Sequence, residues 1–366
     1  MTYNTTTRTT RPAWLLPTPE RRDEPQQESS LRTLLLRLMR GENLQRFEAG
    51  QLLGALLDGE ATDAQIAAAL VALAVKGETV EELAGMAGAM RERATRIVSR
   101  HETFIDTAGS GSSSVKTFNV STAAAFVIAG AGLPVAKHGS RAATSRSGSA
   151  DVLTKLGVKV DAPPHASEKS LNEIGICFMF APLYHSATAR VAGVRRELGV
   201  HTTFNLLGPL TNPGGAPCQI LGVWHPALVE PLAHTLAALG TRRAWVVHGS
   251  DGLDEVTLSG KTLVAETQNG EVRSFEITPE DFGLKSASLE NVRDNDAECS
   301  AAIIKSIFSG ARRDEARDLV VINAAAALVV GGASRDLRAA TRFAEESIDS
   351  GAAQSKLDEL IRSTNK

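Results

Sequence analysis

The sequence predicts an α/β protein in two parts, a small N-terminal all-helical domain and a larger α/β domain whose mixed central sheet is covered by helices. Three observations predict it. Residues 31–101 show helical periodicity with capping signals and almost no strand-like alternation. From His101 onward, short apolar runs alternate with helical stretches led by Gly or Ser. Two alternating segments joined by Gln268-Asn269-Gly270 read as a hairpin.

In the N-terminal part, Asn43 is positioned to cap a helix that carries Leu44, Phe47, Leu52 and Leu56. Thr62 and Gln65 form a capping-box pattern ahead of Ile66, Leu70 and Leu73. Thr79 and Glu82 repeat it ahead of Leu83, Met86 and Met90, and Gly59 and Gly77 punctuate the ends. In residues 102–366, strands are expected at Phe104–Ala108, Leu133–Lys137, Val158–Val160, Ile176–Phe180, Ile220–Trp224 and Ala244–His248, with the hairpin at Thr262–Glu266 and Glu271–Phe275. Helices are expected at Thr122–Ala131, Ala150–Leu156, Ser167–Ile174, Pro226–Leu239 and Glu315–Val330. Leu183–Glu197 is also helical in pattern and is expected to pack back on the N-terminal helices, leaving a cleft between the two lobes. Residues 1–30 are polar and read as a disordered tail.

Composition narrows the function classes. A net charge of −3 gives no electrostatic reason to expect nucleic acid or an anionic membrane. No apolar run is long enough to span a bilayer, since Val120–Ala136 and Leu319–Ala333 are rich in Ala and Gly. Trp14-Leu15-Leu16 is too short for the core of a signal peptide. Cys177, Cys218 and Cys299 make neither a paired motif nor a zinc spacing, which suits a reducing cytoplasm.

The chemistry is expected between Gly109 and Ser149. The stretch from Asp106 through Gly109, Ser112, Ser113, Thr117, Asn119, Val120, Ser121 and Thr122 follows a strand and opens a helix. Small residues let backbone N–H groups approach a ligand, and a helix N-terminus adds positive potential, so phosphate is the natural guest. A plain Gly-Ser loop leading into a capped helix is the alternative reading. The stretch matches neither the dinucleotide fingerprint nor the P-loop. A second loop of like composition follows the next strand, through Lys137, His138, Gly139, Ser140, Arg141, Ala142, Ala143, Thr144, Ser145 and Ser149. Two such loops belong at one sheet edge, where ligands of open α/β folds bind. Asp251-Gly252-Leu253-Asp254-Glu255 offers adjacent carboxylates suited to Mg2+, or else a turn with surface acids. His138 reads equally as a general base or as a structural ring.

Taken together these segments resemble the anthranilate phosphoribosyltransferases, within the nucleoside phosphorylase and phosphoribosyltransferase fold family. The resemblance runs from about Leu31 to the C-terminus. It rests on the glycine loop, Asn119-Val120-Ser121-Thr122, Lys137-His138-Gly139, Ser147-Gly148-Ser149-Ala150-Asp151, Val194-Arg195-Arg196-Glu197, Phe204 through Pro213, and Asp251 through Glu255. It implies transfer of phosphoribose from phosphoribosyl pyrophosphate (PRPP) to the amine of anthranilate, Mg2+ as cofactor and a homodimer. It implies that the two loops from Gly109 to Ser149 line the PRPP site, and that Ser121, Asp254 and Glu255 hold metal. Arg195 would meet the anthranilate carboxylate, with Gly109 and Ser140 beside the ring. Three positions depart from the family pattern. Ser113 stands where an Asp is usual, Ser140 where an Asn is usual, and Ser186 where a Pro follows the His. Other readings from the same residues are a relative with another aromatic acceptor, a pyrimidine-nucleoside phosphorylase-like enzyme, and a non-catalytic nucleic-acid-binding relative.

Overall fold

The computed structural model describes residues 30–111, 113, 115–141, 147–292 and 296–366. Four helices open it: α1 (Leu31–Met39), α2 (Arg46–Leu57), α3 (Asp63–Lys76) and α4 (Val80–Glu92). The capping boxes at Thr62/Gln65 and Thr79/Glu82 are both formed. The cap of α2 is Gln45 with Glu48, not Asn43, whose side chain instead accepts from Lys76 Nζ at 3.1 Å. Phe47, expected on the inner face of α2, is 73% exposed. At about 100° per residue, Phe47 lies roughly 140° from Leu52 and roughly 180° from Leu56 around the helix, so it faces outward while they are buried.

Among the described residues, seven strands then form one sheet in the order β3-β2-β1-β4-β5-β6-β7. They are β1 (Ile105–Gly109), β2 (Val135–Gly139), β3 (Ile176–Phe180), β4 (Cys218–Gly222), β5 (Arg243–Gly249), β6 (Thr262–Gln268) and β7 (Glu271–Ile277). Strands β1 to β5 are parallel, and β6 and β7 add an antiparallel hairpin. Asn269 and Gly270 take positive φ at its tip, as a tight turn of this kind requires. Val158–Val160 is not a strand. It follows the left-handed Gly157 that ends α6 (Ser149–Leu156), and a turn comes before any ladder forms. Both valines are buried by side-chain packing alone.

The remaining helices are α5 (Val120–Gly130), α7 (Pro164–Ile174), α8 (Ala181–Tyr184), α9 (Ala189–Leu198), α10 (Thr203–Leu210), α11 (Val229–Ala238), α12 (Ala297–Phe308), α13 (Glu315–Val330), α14 (Leu337–Asp349) and α15 (Ala352–Thr364). The expected single helix over 183–197 is broken, because His185 leaves helical geometry and turns inward to the Thr211 carbonyl, 3.1 Å away. Val191 and Val194 of α9 join the apolar cluster of α1–α4, which continues onto one face of the sheet through Leu221, Val246 and Ala265. Ile220, Trp245, Val247 and Val264 point to the opposite face and its cluster with α5 and α12–α15. The alternation is the two-residue period of a strand covered on both sides. Among the described residues, no helix is long and apolar enough to cross a membrane.

Candidate active site

The strand order reverses at β1. The chain runs from β1 outward through β2 and β3, then returns to lay β4 on the other side of β1. A crevice opens where the carboxyl ends of β1 and β4 meet, and there Gly109 pairs with Gly222. Three segments converge on it: the loop after β1, the start of α5, and the turn after β5.

The turn after β5 is seated under the crevice. Asp254 Oδ2 accepts from the Gly111 amide at 3.2 Å and lies 3.5 Å from Ser110 Oγ. Ser113 is buried, and its hydroxyl bridges the Gly252 carbonyl at 2.7 Å and the Val115 carbonyl at 2.8 Å. Lys116 Nζ closes the loop onto the Gly111 carbonyl at 2.8 Å. Thr107, Ser121, Asp254, Glu255 and Asn323 share the wall of a cavity of about 20 Å³, room for a water or a small ion.

The second loop contributes from β2. Lys137 is buried; its ammonium donates to the Thr107 carbonyl, and lies 3.2 Å from Thr107 Oγ1 and 3.3 Å from Ser121 Oγ. Burial pulls the lysine down to about 8, against the opposing charges of Asp106 and Glu255. Burial also pushes Glu255 up to about 8, aided by repulsion from Asp254 and opposed by Lys137. Asp254 is raised by burial. Glu255 is half-buried, yet its Oε2 is sealed from solvent with no hydrogen-bond partner. Two adjacent carboxylates held partly out of water, one with an orphan oxygen, fit a hard cation whose other ligands are phosphate and water. No group of three or more His, Cys, Asp or Glu able to hold an ion exists among the described residues.

Gly109, Ser113, Ser121, Lys137, Asp254 and Glu255 are thus brought together. Thr117 bonds its own loop through the Phe118 carbonyl at 3.0 Å, Asn119 precedes α5, and Val120 and Thr122 are buried in its first turn. Gly139 admits the Ser149 hydroxyl, which would lie 2.2 Å from any Cβ there. The Ser140 carbonyl accepts from the Ala150 amide at 3.2 Å, and Arg141 pairs with Asp151 at 2.9 Å. Ser112, Ala142, Ala143, Thr144 and Ser145 lie outside the described residues. Arg195 stands apart from these contacts on α9. It is half-buried, its guanidinium lies 5.0 Å from the Phe204 ring centre, and its Nε has no hydrogen-bond partner.

His138 is a buried ring packed edge-on against His185, with centroids 5.1 Å apart. Burial, with His185 and Lys137 nearby, lowers it to about 3, so it is neutral at any cellular pH. That favours the structural ring over the base. Sequence reading included Asp106 and Asn212 in its motifs but gave them no role; the Asp106 carboxylate takes the His138 amide at 3.1 Å, and Asn212 donates to the Ala136 carbonyl at 2.8 Å. It missed Gly222 and Asn323. Asn323 was the findable one, since it interrupts the otherwise apolar run Leu319–Val330.

Comparison with known proteins sets the class first. A family model described as "Glycosyl transferase family, a/b domain" matches residues 101–354, and one described as "Glycosyl transferase family, helical bundle domain" matches residues 32–94. An anthranilate phosphoribosyltransferase of Moorella thermoacetica is 50% identical over 331 residues, covering 90% of this chain and 97% of the relative. The crystal structure of the Thermus thermophilus anthranilate phosphoribosyltransferase aligns with a TM-score of 0.86 at 40% identity, over 91% of this chain and 99% of that one. The Saccharomyces cerevisiae enzyme, solved in complex with PRPP and Mg, aligns with a TM-score of 0.84 at 28% identity, over 93% of this chain and 99% of that one. The chain belongs to the anthranilate phosphoribosyltransferase family.

Proposed function

We propose that the crevice binds PRPP and that the chain transfers its phosphoribose to the amine of anthranilate, giving N-(5-phosphoribosyl)anthranilate and pyrophosphate in tryptophan biosynthesis. The observation that carries this is the meeting of a glycine loop, a buried Lys137 and the Asp254–Glu255 pair at the sheet's switch point. We assign PRPP contacts to Gly109, Ser113, Thr117, Asn119, Ser121, Thr122, Lys137 and Ser149. Mg2+ held by Ser121, Asp254 and Glu255 would neutralise charge on the departing pyrophosphate.

The chain's own residues do the rest by placement. Loop amides and hydroxyls hold the donor's phosphates, and Lys137 adds a fixed positive charge out of water, where it acts more strongly. The amine nitrogen of anthranilate bonds to C1 of the ribose as the C1–O bond to pyrophosphate breaks, and the amine then sheds one proton. An aromatic amine is already neutral, so no strong base is needed, in accord with the neutral His138. Orienting two bound substrates supplies roughly 7–11 kcal/mol in favourable cases. Arg195 is assigned to the anthranilate carboxylate, with Gly109 and Ser140 near the ring.

The free, unpaired cysteines suit the cytoplasm. Leu36, Met39, Phe47, Val71 and Val75 are exposed apolar side chains that all sit on α1–α3, and we assign that surface to a homodimer. The function is tested by incubating the protein with Mg2+, PRPP and anthranilate and following pyrophosphate. Turnover with the product inverted at C1 is expected. Phosphorolysis of a pyrimidine nucleoside in place of this reaction, or salt-sensitive DNA binding without turnover, would overturn it.

A further inference from the structure

Helix α13 is buried from Leu319 to Val330, and over that span its only strongly polar side chain is Asn323. A primary amide inside an apolar helix costs free energy unless its donors and acceptor are all used. Here they are. The Val256 amide donates to Asn323 Oδ1 at 2.9 Å, and Asn323 Nδ2 donates to the Val256 carbonyl at 2.9 Å and to the Leu319 carbonyl at 2.9 Å. The side chain thus makes with Val256 the two-bond pairing that a neighbouring strand would make. No strand does so, because the chain between β5 and β6 leaves the ladder. Val256 is the residue directly after Glu255, and Asn323 reaches the wall of the same cavity as Asp254, Glu255 and Ser121.

We propose that Asn323 is a positioning residue that fixes the backbone direction of the Asp254–Glu255 carboxylates and so sets the affinity for Mg2+. This rests on the reading of those carboxylates as metal ligands. Besides its ties to the loop after β1, the turn is held on either side of the carboxylate pair: beneath Asp254, where its carbonyl fits against Gly222, and beyond Glu255, where Asn323 grips Val256. Without the second hold, Glu255 is aimed only by the Ser121 amide and its chain neighbours, and its Oε2 has no bond of its own. Groups that orient a metal ligand typically change affinity by about 10–100-fold when removed.

The test is Asn323→Leu, which keeps the branched heavy-atom shape and removes the three bonds. The Mg2+ concentration for half-maximal rate and the thermal shift produced by Mg2+ with pyrophosphate are measured beside those of Glu255→Gln. The expected result is a Mg2+ requirement raised about tenfold or more, a diminished thermal shift, and an unchanged KM for anthranilate. A purely structural role would lower the melting temperature and leave the Mg2+ response in place. A folded Asn323→Leu protein with the wild-type Mg2+ response, while Glu255→Gln loses it, overturns the inference alone. If Glu255→Gln also keeps the response, the metal reading fails and the inference with it. Should Asn323→Leu not fold, Asn323→Ser is measured in the same way, and the same outcomes decide.

Discussion

The Asp254 carbonyl fits against Gly222 so closely that a Cβ on Gly222 would lie 1.6 Å from its oxygen. Gly222 ends β4 beside Gly109, so the absence of a side chain there lets the carboxylate turn reach the crevice. Gly222→Ala must displace either the strand end or the turn, and the turn, which has no ladder, is the softer of the two. The expected outcome is a loss of about 100-fold in kcat/KM for PRPP, the scale of an ångström-sized misplacement, with a raised Mg2+ requirement. Steady-state kinetics across a Mg2+ series checks it, and near-wild-type values would show that the turn does not need its seat.

Ser113 makes the loop's other tie to the turn, and its single proton serves two carbonyl oxygens, of Gly252 and Val115. An aspartate in its place, as the family pattern has it, would bring a charge and no proton to those oxygens. Ser113→Asp is therefore expected to destabilise this chain in the absence of metal, on the order of 1–3 kcal/mol. Ser113→Asn, which keeps a donor, should do less harm. Thermal melts in EDTA compare the two. A Ser113→Asp protein that melts no lower than wild type contradicts this account of the loop.

The sheet and most helices were legible in the sequence because their apolar runs have the period of their elements, and Glu315–Val330 matches to the residue. Three-residue Val158–Val160 failed because apolar burial without a partner looks like a strand in one dimension. Phe47 failed because the helical period sets it on the side away from Leu52 and Leu56, and only those two reach the core. The loops of the site were visible through their small residues and charges. What Asp106, Gly222 and Asn323 do in shaping it from behind was not. Their roles come from contacts with segments far away in the chain, such as Asn323 with Val256, which no local pattern encodes.

The buried histidine pair makes a pH prediction. His138 is lowered to about 3 and His185 to about 4, both chiefly by burial. In the unfolded chain each would take a proton near 6.5. Below that pH the unfolded state binds protons that the folded state refuses, so stability is full above about 6.5 and falls as pH drops toward 4. His138→Gln removes one of these groups. Melting temperatures from pH 7 to 4 should fall less steeply for the variant, whatever its starting stability. Parallel curves would mean that His138 does not titrate with unfolding. The pH–rate profile of the wild type should also lack a limb from His138 near neutrality, because its ring is already in the neutral form there and takes up its second proton only at far lower pH.

Arg195 carries the acceptor assignment. Burial lowers its pKa, its charge rests on the Phe204 ring, and it makes no ion pair with a described residue. A guanidinium held in place without a carboxylate retains its fork of donors for an incoming one. Removing a bond to a charged group costs about 1.5–3 kcal/mol, which corresponds to roughly 10–100-fold in binding. Arg195→Ala should therefore raise the KM for anthranilate by about that factor and leave the KM for PRPP near its original value. Arg195→Lys, which keeps charge but not the planar fork, should fall between. Substrate analogues sharpen the test. Aniline, which lacks the carboxylate, should be a poor acceptor for the wild type and no worse for Arg195→Ala. If both substrates lose affinity equally, Arg195 supports the lobe through Phe204 and does not recognise the acceptor.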